Sequence, residues 1–399
     1  MQKLLAPLHS PVYRALWLAS LFSNMGTLMQ AVAVAWVMTS LTLSPLLVAL
    51  VPAAALAPVF FFGLAGGALA DMIKRRTFLL VTQLWMMLCA IAMGLLVLLD
   101  AATPGTLLAL TFALGTGNAL TLPAWQSLVQ DLVPRQQVAS AVALNSISFN
   151  AGRVLGPVAG GLLVGWIGAF PVFFLNAISF LGTIVVLYLW AGLAPVGKGD
   201  GFWKTMGRGL VYVRQASHLH SPFYRLSIFA FGASALLALL PLFARQDLGL
   251  VASQYGMLLG FFGGGSLVGG ACVPALRRWA GPSPIVAGGA LVLGAGLALL
   301  GMATSFPMAA VALMTCGFAW VSSMVNLNVS VQMSAPSAMR GRTMSVFLTT
   351  FQGSVAFGSL ASGAIAKLAG IPATLWIFGV ILVLLGLFTF RHVLPDEKT

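Results

Sequence analysis

Charged side chains are scarce in this chain, and their scarcity excludes a soluble globular domain. Only 7% of the residues are charged and 60% are hydrophobic, whereas a soluble domain carries about 25% charged residues. A protein with so few charged residues cannot form a surface that is well solvated by water. Most of the chain must therefore lie in lipid.

Cysteine and acidic residues are also few, and this argues against an enzyme. The three cysteines fall inside apolar runs, so they offer neither a disulfide framework nor paired metal ligands. The seven acidic residues lie in loops or at the ends of apolar runs, and the four histidines lie outside them. We find no nucleophile with its base and no phosphate-binding loop. We therefore expect no catalytic residue, no cofactor and no metal.

Long apolar runs are abundant, and they predict membrane-spanning helices. A spanning helix needs about 20 apolar residues, whereas a barrel strand needs only about ten. The runs predict twelve spans, at residues 15–40, 45–70, 77–99, 105–129, 138–165, 170–191, 222–244, 253–275, 284–303, 307–333, 343–367 and 372–391. The fold class is therefore an all-α polytopic membrane protein with twelve transmembrane helices.

The distribution of the basic residues predicts orientation. A formal net charge of +13 raises the alternative of a nucleic-acid partner. With both termini in the cytoplasm, however, 17 of the 20 Lys and Arg residues lie on the cytoplasmic side, and only Arg245 and Lys367 lie on the opposite side, with Arg153 inside the membrane. This bias follows the positive-inside rule. We expect a bacterial-type cytoplasmic (inner) membrane protein with cytoplasmic termini, in contact with the bilayer but not with nucleic acid.

The chain repeats itself, which predicts two six-helix halves. One offset of 202 residues aligns Gly156 with Gly358, Gly161 with Gly363, and Gly168 with Gly370. Parallel halves of this kind are typical of transporters that rock around a central site. The predicted domains are an N-terminal half at 1–191, a linker at 192–221 and a C-terminal half at 222–399. The linker is either an amphipathic helix on the membrane surface or a solvated connection.

A carboxylate stands beside three cations after the second predicted span. The stretch 67–76, with Asp71 next to a run of basic residues, predicts a cytoplasmic gate that closes in one conformation and opens in the other. Asp131 stands at a similar level after the fourth span. The proposed gate residues are Gly67, Asp71, Lys74, Arg75, Arg76 and Asp131.

This stretch resembles the loop between spans two and three of the major facilitator superfamily, written G-x-x-x-D-R-x-G-R-R. The chain departs from that pattern at Met72 and Lys74. The span-five glycines and proline resemble the signature of the superfamily's exporters, and they are Gly152, Gly156, Pro157, Gly160 and Gly161. The stretches "LVPRQQVASAVALNSISFNAGRVLGP" and "APSAMRGRTMSVFLTTFQG" are similar to the enterobactin exporter branch, the transmembrane secretion effectors.

The span-five glycines also have a physical explanation. Gly156, Gly160 and Gly161 remove side chains from the helix surface and let a neighbour approach on one face. Pro157 removes a backbone hydrogen bond and permits a kink. The resemblance implies that this packing seals one side of the pore and favours export.

Polar residues within the spans predict a substrate cavity. A polar side chain in contact with lipid is costly, so most should face the protein interior, either toward the cavity or in a bond between helices. Arg153, which falls near mid-membrane, is either a contact for polar or anionic substrate groups or a brace between helices. The cavity candidates are Arg153, Asn24, Gln30, Asn118, Gln126, Asn145, Asn150, Gln254, Tyr255, Asn326, Asn328 and Gln352.

These features predict a monomeric secondary exporter of a small amphipathic molecule, such as a drug-like compound, a siderophore or a related metabolite. An importer or a lipid or metabolite flippase of the same fold is the alternative, and a membrane enzyme is a remote one. The resemblance implies coupling to protons. The residues themselves show no acid near the middle of any span, where proton relays usually keep one.

Overall fold

The computed structural model describes residues 5–72, 74–189, 211–336 and 339–389, and within these it leaves out the side chains of 63–72, 123, 126, 127 and 129–131. Twelve helices in this part are long and apolar enough to cross a membrane, which confirms the predicted spans. They are α1 (Pro11–Leu41), α2 (Pro45–Met72), α3 (Arg75–Leu98), α4 (Pro104–Asp131), α5 (Val138–Ile167), α6 (Phe170–Leu189), α7 (Ser217–Gln246), α8 (Ala252–Trp279), α9 (Pro282–Gly301), α10 (Phe306–Ser334), α11 (Arg340–Ala369) and α12 (Ile371–Thr389).

Local chemistry explains where several of these helices begin and end. The Ser10 hydroxyl accepts a hydrogen bond from the Tyr13 amide at the start of α1, and Thr103 caps α4 in the same way. Gly168 and Gly370 end α5 and α11 with φ values of 84° and 82°, a backbone region that favours glycine. These two glycines are 202 residues apart, so the repeat seen in the sequence recurs in the backbone.

The helices pack into two halves with matching arrangements. In the first half α1 packs against α5 and α6, α2 against α4, and α3 against α6. In the second half α7 packs against α11 and α12, α8 against α10, and α9 against α12. The main contacts between the halves are α2 with α11 and α5 with α8. This is the predicted architecture of two pseudo-symmetric six-helix halves.

The hydrophobic cores show which end of the bundle is closed. We call the face where α1 begins the proximal end and the opposite face the distal end. The largest core joins distal parts of both halves, including Val37 of α1 and Phe243 of α7. Toward the proximal end each core stays within one half, as around Leu128 of α4 and around Phe347 of α11. Over the described residues, the halves are therefore joined distally and have separate cores proximally.

Candidate functional site

Helix α5 carries Arg153 and the span-five glycines, and it forms one of the two main junctions between the halves. Gly152, Gly156 and Gly160 face α1, at intervals of one helical turn. A Cβ on Gly160 would lie 2.8 Å from the Met29 Cα, and one on Gly156 would lie 2.9 Å from the Leu28 Cβ. These glycines therefore allow two helices of the same half to pack at close range.

Gly161 faces a different helix. A Cβ on Gly161 would lie 2.6 Å from the Gly256 Cα of α8, across the junction between the halves. The prediction that the three glycines share one face is wrong, because adjacent helical residues are about 100° apart. At the repeat-equivalent position, a Cβ on Gly363 of α11 would lie 2.6 Å from the Ala49 Cβ of α2. Both junctions lie toward the distal end.

An aromatic and basic cluster closes the distal end above these junctions. Arg245 at the end of α7 donates a hydrogen bond of 3.1 Å to the Thr39 hydroxyl of α1. Its guanidinium carbon lies 5.4 Å from the centroid of the Trp36 ring. Trp36 in turn stacks on Tyr255 of α8, with ring centroids 5.7 Å apart. We call these four residues the distal cluster, and the three contacts just described join one half to the other.

Sequence reasoning missed the role of the distal cluster. It treated Arg245 only as a rare cation on the distal side and placed Tyr255 in the substrate cavity. The scarcity of cations on the distal side was a usable signal, because a cation on the poorly charged side of a membrane protein indicates a specific local interaction.

We expect Arg245→Gln to loosen the distal closure. A cation–π contact contributes about 0.5–2 kcal/mol and a hydrogen bond about 1 kcal/mol, so the ratio of distally closed to distally open protein should fall by roughly tenfold to a hundredfold. In a protein whose native cysteines are replaced, the labelling rate of Ala252→Cys by a distal, membrane-impermeant thiol reagent should rise by that factor. Lys367→Gln, which removes an exposed distal cation, is the matched control. An unchanged labelling rate in Arg245→Gln would show that the cluster does not hold the closure.

Arg153 lies where the two halves begin to part. On the opposing helix, a Cβ at Gly263 would lie 3.1 Å from the Arg153 carbonyl oxygen, so the backbones still touch at this level. The side chain is half-buried, and its guanidinium carbon lies 6.0 Å from the centroid of the Phe149 ring. Within the described part of the chain, its guanidinium has neither a hydrogen bond nor an ion pair. Its donors are therefore available to a ligand.

The amides nearest to Arg153 along α5 are at least partly open. Asn150 is exposed and donates a hydrogen bond to the Ser146 carbonyl one turn earlier. Asn24 of α1 is half-buried and donates to the Ser148 hydroxyl. Asn145 is half-buried, as is Gln352 of α11. Asn118 is exposed on α4, so it is among the predicted cavity residues that the structure leaves accessible.

Three other cavity candidates form hydrogen bonds away from the cavity, either between two helices of one half or at the start of a helix. Gln30 accepts a hydrogen bond of 2.6 Å from Asn176 of α6 and is buried inside one half. Asn326 is fully buried and accepts from the Arg277 Nε of α8. Gln254 accepts from the Val251 amide at the start of α8, so it caps a helix at the distal end. Gln30, Asn326 and Gln254 are therefore removed from the set of cavity candidates, because each amide is hydrogen-bonded outside the cavity.

The last two cavity candidates are Asn328 on α10 and Gln126 on α4. Gln332 donates a hydrogen bond of 2.6 Å to the Asn328 side chain one turn away, and both are half-buried near the proximal end of α10. The side chain of Gln126 lies outside the described residues.

Only part of the proposed cytoplasmic gate can be placed. The side chains of Asp71 and Asp131 lie outside the described residues, and Gly67 is described only as part of the α2 backbone. Lys74 is exposed at the start of α3. Arg76 donates to the Leu187 and Tyr188 carbonyls at the end of α6. It therefore satisfies the last carbonyls of a helix in its own half, a stabilising role that the sequence did not suggest.

The second half uses a different arginine for the same purpose. Arg225 of α7 is fully buried and donates to the Thr389 carbonyl at the end of α12. Leu187 and Thr389 are 202 residues apart, so equivalent carbonyls are bound by arginines from non-equivalent helices.

Comparison with known proteins agrees with this architecture. The model of the transmembrane secretion effector family matches residues 2–399. The chain is 23% identical to the MFS-type transporter YfiS of Bacillus subtilis, over 87% of this chain and 84% of that protein. It is 23% identical to the multidrug efflux pump Tap of Mycolicibacterium fortuitum, over 92% of each.

Among solved structures, a bacterial homologue of the human lysosomal transporter Spinster, in an inward-facing and unoccupied conformation, superposes with a TM-score of 0.77. It is 16% identical and covers 96% of both chains, which shows a shared fold. The twelve helices, their paired halves and the match over nearly the whole sequence lead to one conclusion. The chain belongs to the transmembrane secretion effector family of major facilitator transporters.

Proposed function

We propose that the protein is a secondary exporter, which moves a small amphipathic molecule out of the cytoplasm by alternating access. The observation that carries the proposal is the joining of the halves at the distal end, with Arg153 where they begin to part. The excess of basic residues supports a cytoplasmic location for the proximal end. In that orientation, a distally closed structure is the state expected to take up a molecule from the cytoplasm.

The chemistry of the accessible residues supports an amphipathic substrate with a polar or anionic group. Arg153 offers a planar set of donors to such a group, and Asn24, Asn145 and Asn150 offer amides. Phe149 and the exposed Phe22 offer apolar surface. The direction of transport is supported by the likeness to Tap, whose name describes an efflux pump, and by the span-five glycines.

The predicted domain limits, oligomeric state, membrane location and proton coupling are also part of this proposal. We place the halves at 1–191 and 222–399, joined by a linker at 192–221. Residues 192–210 of this linker lie outside the described residues, and residues 217–221 form the start of α7. We expect a monomer in a bacterial cytoplasmic membrane with both termini in the cytoplasm. Coupling to protons would have to use loop acids, the side chains of Asp71 or Asp131, or the substrate itself. Partial burial raises the pKa of Asp247 just beyond α7, so this carboxyl takes up a proton at a higher pH than a solvated aspartate.

The test is transport by the purified protein in liposomes. A panel of anionic, neutral and cationic amphipathic compounds should be measured in both directions, with and without a proton gradient and a membrane potential. We expect movement from the cytoplasmic face outward, with anionic or strongly polar members preferred. Net movement toward the cytoplasm along the physiological gradient would establish the importer, and movement of phospholipid alone would establish the flippase. Loss of transport when the proton gradient is collapsed would establish proton coupling.

A further inference from the structure

A second cavity lies outside the substrate site, at the other junction between the halves. It is a groove of about 410 Å³ between α2, α4 and α11, and its walls are apolar throughout. Its walls include Leu50, Ala54, Ala57 and Phe61 of α2, Phe112 of α4 and Phe357 of α11. We call this the lateral groove.

The lateral groove opens toward lipid. Leu50, Ala54, Ala57 and Phe61 follow one another at intervals of four, three and four residues, so they share one face of α2. The opposite face of the helix carries Val48 and Val59, which are buried. Phe61 and Phe357 are 62% and 58% exposed, although both lie in membrane-spanning segments. Because the halves are joined at this distal level, the described part of the chain leaves no open central cavity beside these rings, and the mouth of the groove meets the hydrocarbon of the bilayer.

The dimensions of the lateral groove match one leaflet. From Leu50 to Phe61 the helix rises about 16 Å, at about 1.5 Å per residue, which is close to half of the ~30 Å hydrocarbon core. Because α2 begins at the distal end with Pro45, the groove occupies the distal half of the membrane. An apolar wall offers no hydrogen bond to a headgroup, so the part of a lipid that fits is an acyl chain.

The lateral groove is built by both halves, so its shape depends on the conformation. Its floor is the α2–α11 junction, where a Cβ on Gly353 would lie 2.7 Å from the Phe60 Cδ2. The Phe60 and Phe357 rings meet edge to face, with centroids 6.1 Å apart. Rocking of the halves must change this junction. A ligand that binds only one arrangement stabilises it.

We propose that the lateral groove binds one acyl chain of a phospholipid from the distal leaflet, and that this chain stabilises the distally closed state. The ligand of the lateral groove is a lipid of the surrounding membrane, and its binding does not depend on which molecule is transported.

The first test measures lipid retention. Ala57→Trp should fill the lateral groove, whereas Ala373→Trp adds the same side chain on an exposed distal position of α12. Native mass spectrometry of protein reconstituted with phosphatidylglycerol and then purified in detergent should find one retained phospholipid in wild type and in Ala373→Trp. Ala57→Trp should show about fivefold lower occupancy. Equal occupancy in all three, or no retained lipid in wild type, would overturn the proposal.

A second measurement avoids a bulky substitution in the groove. A fluorophore on Ala54→Cys, with the native cysteines replaced, should be quenched by brominated phosphatidylcholine that saturates near one lipid per protein. The same fluorophore on Ala373→Cys should need a large excess, and identical titrations at the two positions would contradict a specific site. Removing lipid should also raise the labelling rate of Ala252→Cys from the distal side. A labelling rate independent of lipid would refute the stabilising effect.

Discussion

Gly256→Val will abolish transport while the protein still inserts into the membrane. A Cβ at this position would lie 2.6 Å from the Pro157 carbonyl oxygen and 2.7 Å from the Gly161 Cα. Both obstacles are backbone atoms, which cannot rotate away as a side chain can. Overpacking of this kind costs about 1–3 kcal/mol. The cost falls only on the distally closed state, because α5 and α8 belong to different halves.

The expected result is a shift of the conformational equilibrium by about fivefold to a hundredfold, since each 1.4 kcal/mol changes an equilibrium constant tenfold. Transport in liposomes at matched protein amounts should fall to background, and distal labelling of Ala252→Cys should rise. Gly264→Val is the matched control, because a Cβ there has no atom within 4 Å. Transport by Gly256→Val at the rate of Gly264→Val would show that the α5–α8 contact is not part of the cycle.

The positions of the helices could be predicted from the sequence because they depend on hydrophobicity and length alone. A run of about 20 apolar residues forms a helix in lipid whatever its neighbours are, since its backbone groups must be satisfied within the segment. The repeat was visible for a similar reason. Gly168 and Gly370 occupy positions that only a residue tolerant of positive φ fills easily.

The partners of polar side chains could not be predicted in the same way. The sequence shows that Gln30 is an amide inside a span, but its bond with Asn176 depends on the rotation of α1 against α6. Arg76 reaches the end of α6, a helix more than 90 residues away in the chain. The two directions of Gly160 and Gly161 were predictable, because helical geometry separates adjacent residues by about 100°.

Arg153→Ala will remove most transport activity without preventing folding. A cation at the centre of a spanning helix costs roughly 2.5–3.5 kcal/mol on insertion scales, so alanine should not weaken insertion. In the described residues the guanidinium lies over the Phe149 ring and forms no hydrogen bond, which favours a substrate contact over a brace between helices. Losing a hydrogen bond from a charged donor costs about 1.5–3 kcal/mol. We therefore expect roughly a tenfold to hundredfold loss of affinity for a substrate with a polar or anionic group.

Arg153→Lys separates the charge from the shape of the side chain. Lysine keeps the positive charge but presents a single ammonium instead of a planar fork, so transport of anionic compounds should be reduced but measurable. Arg14→Ala, which removes an exposed cation near the start of α1, is the control for net charge. The measurements are the KM and maximal rate in liposomes and the melting temperature of the purified protein. A substrate contact raises KM and leaves the melting temperature unchanged, whereas a brace lowers the melting temperature of both Arg153 variants. Normal KM and rate in Arg153→Ala would show that this cation neither binds substrate nor supports the transport cycle.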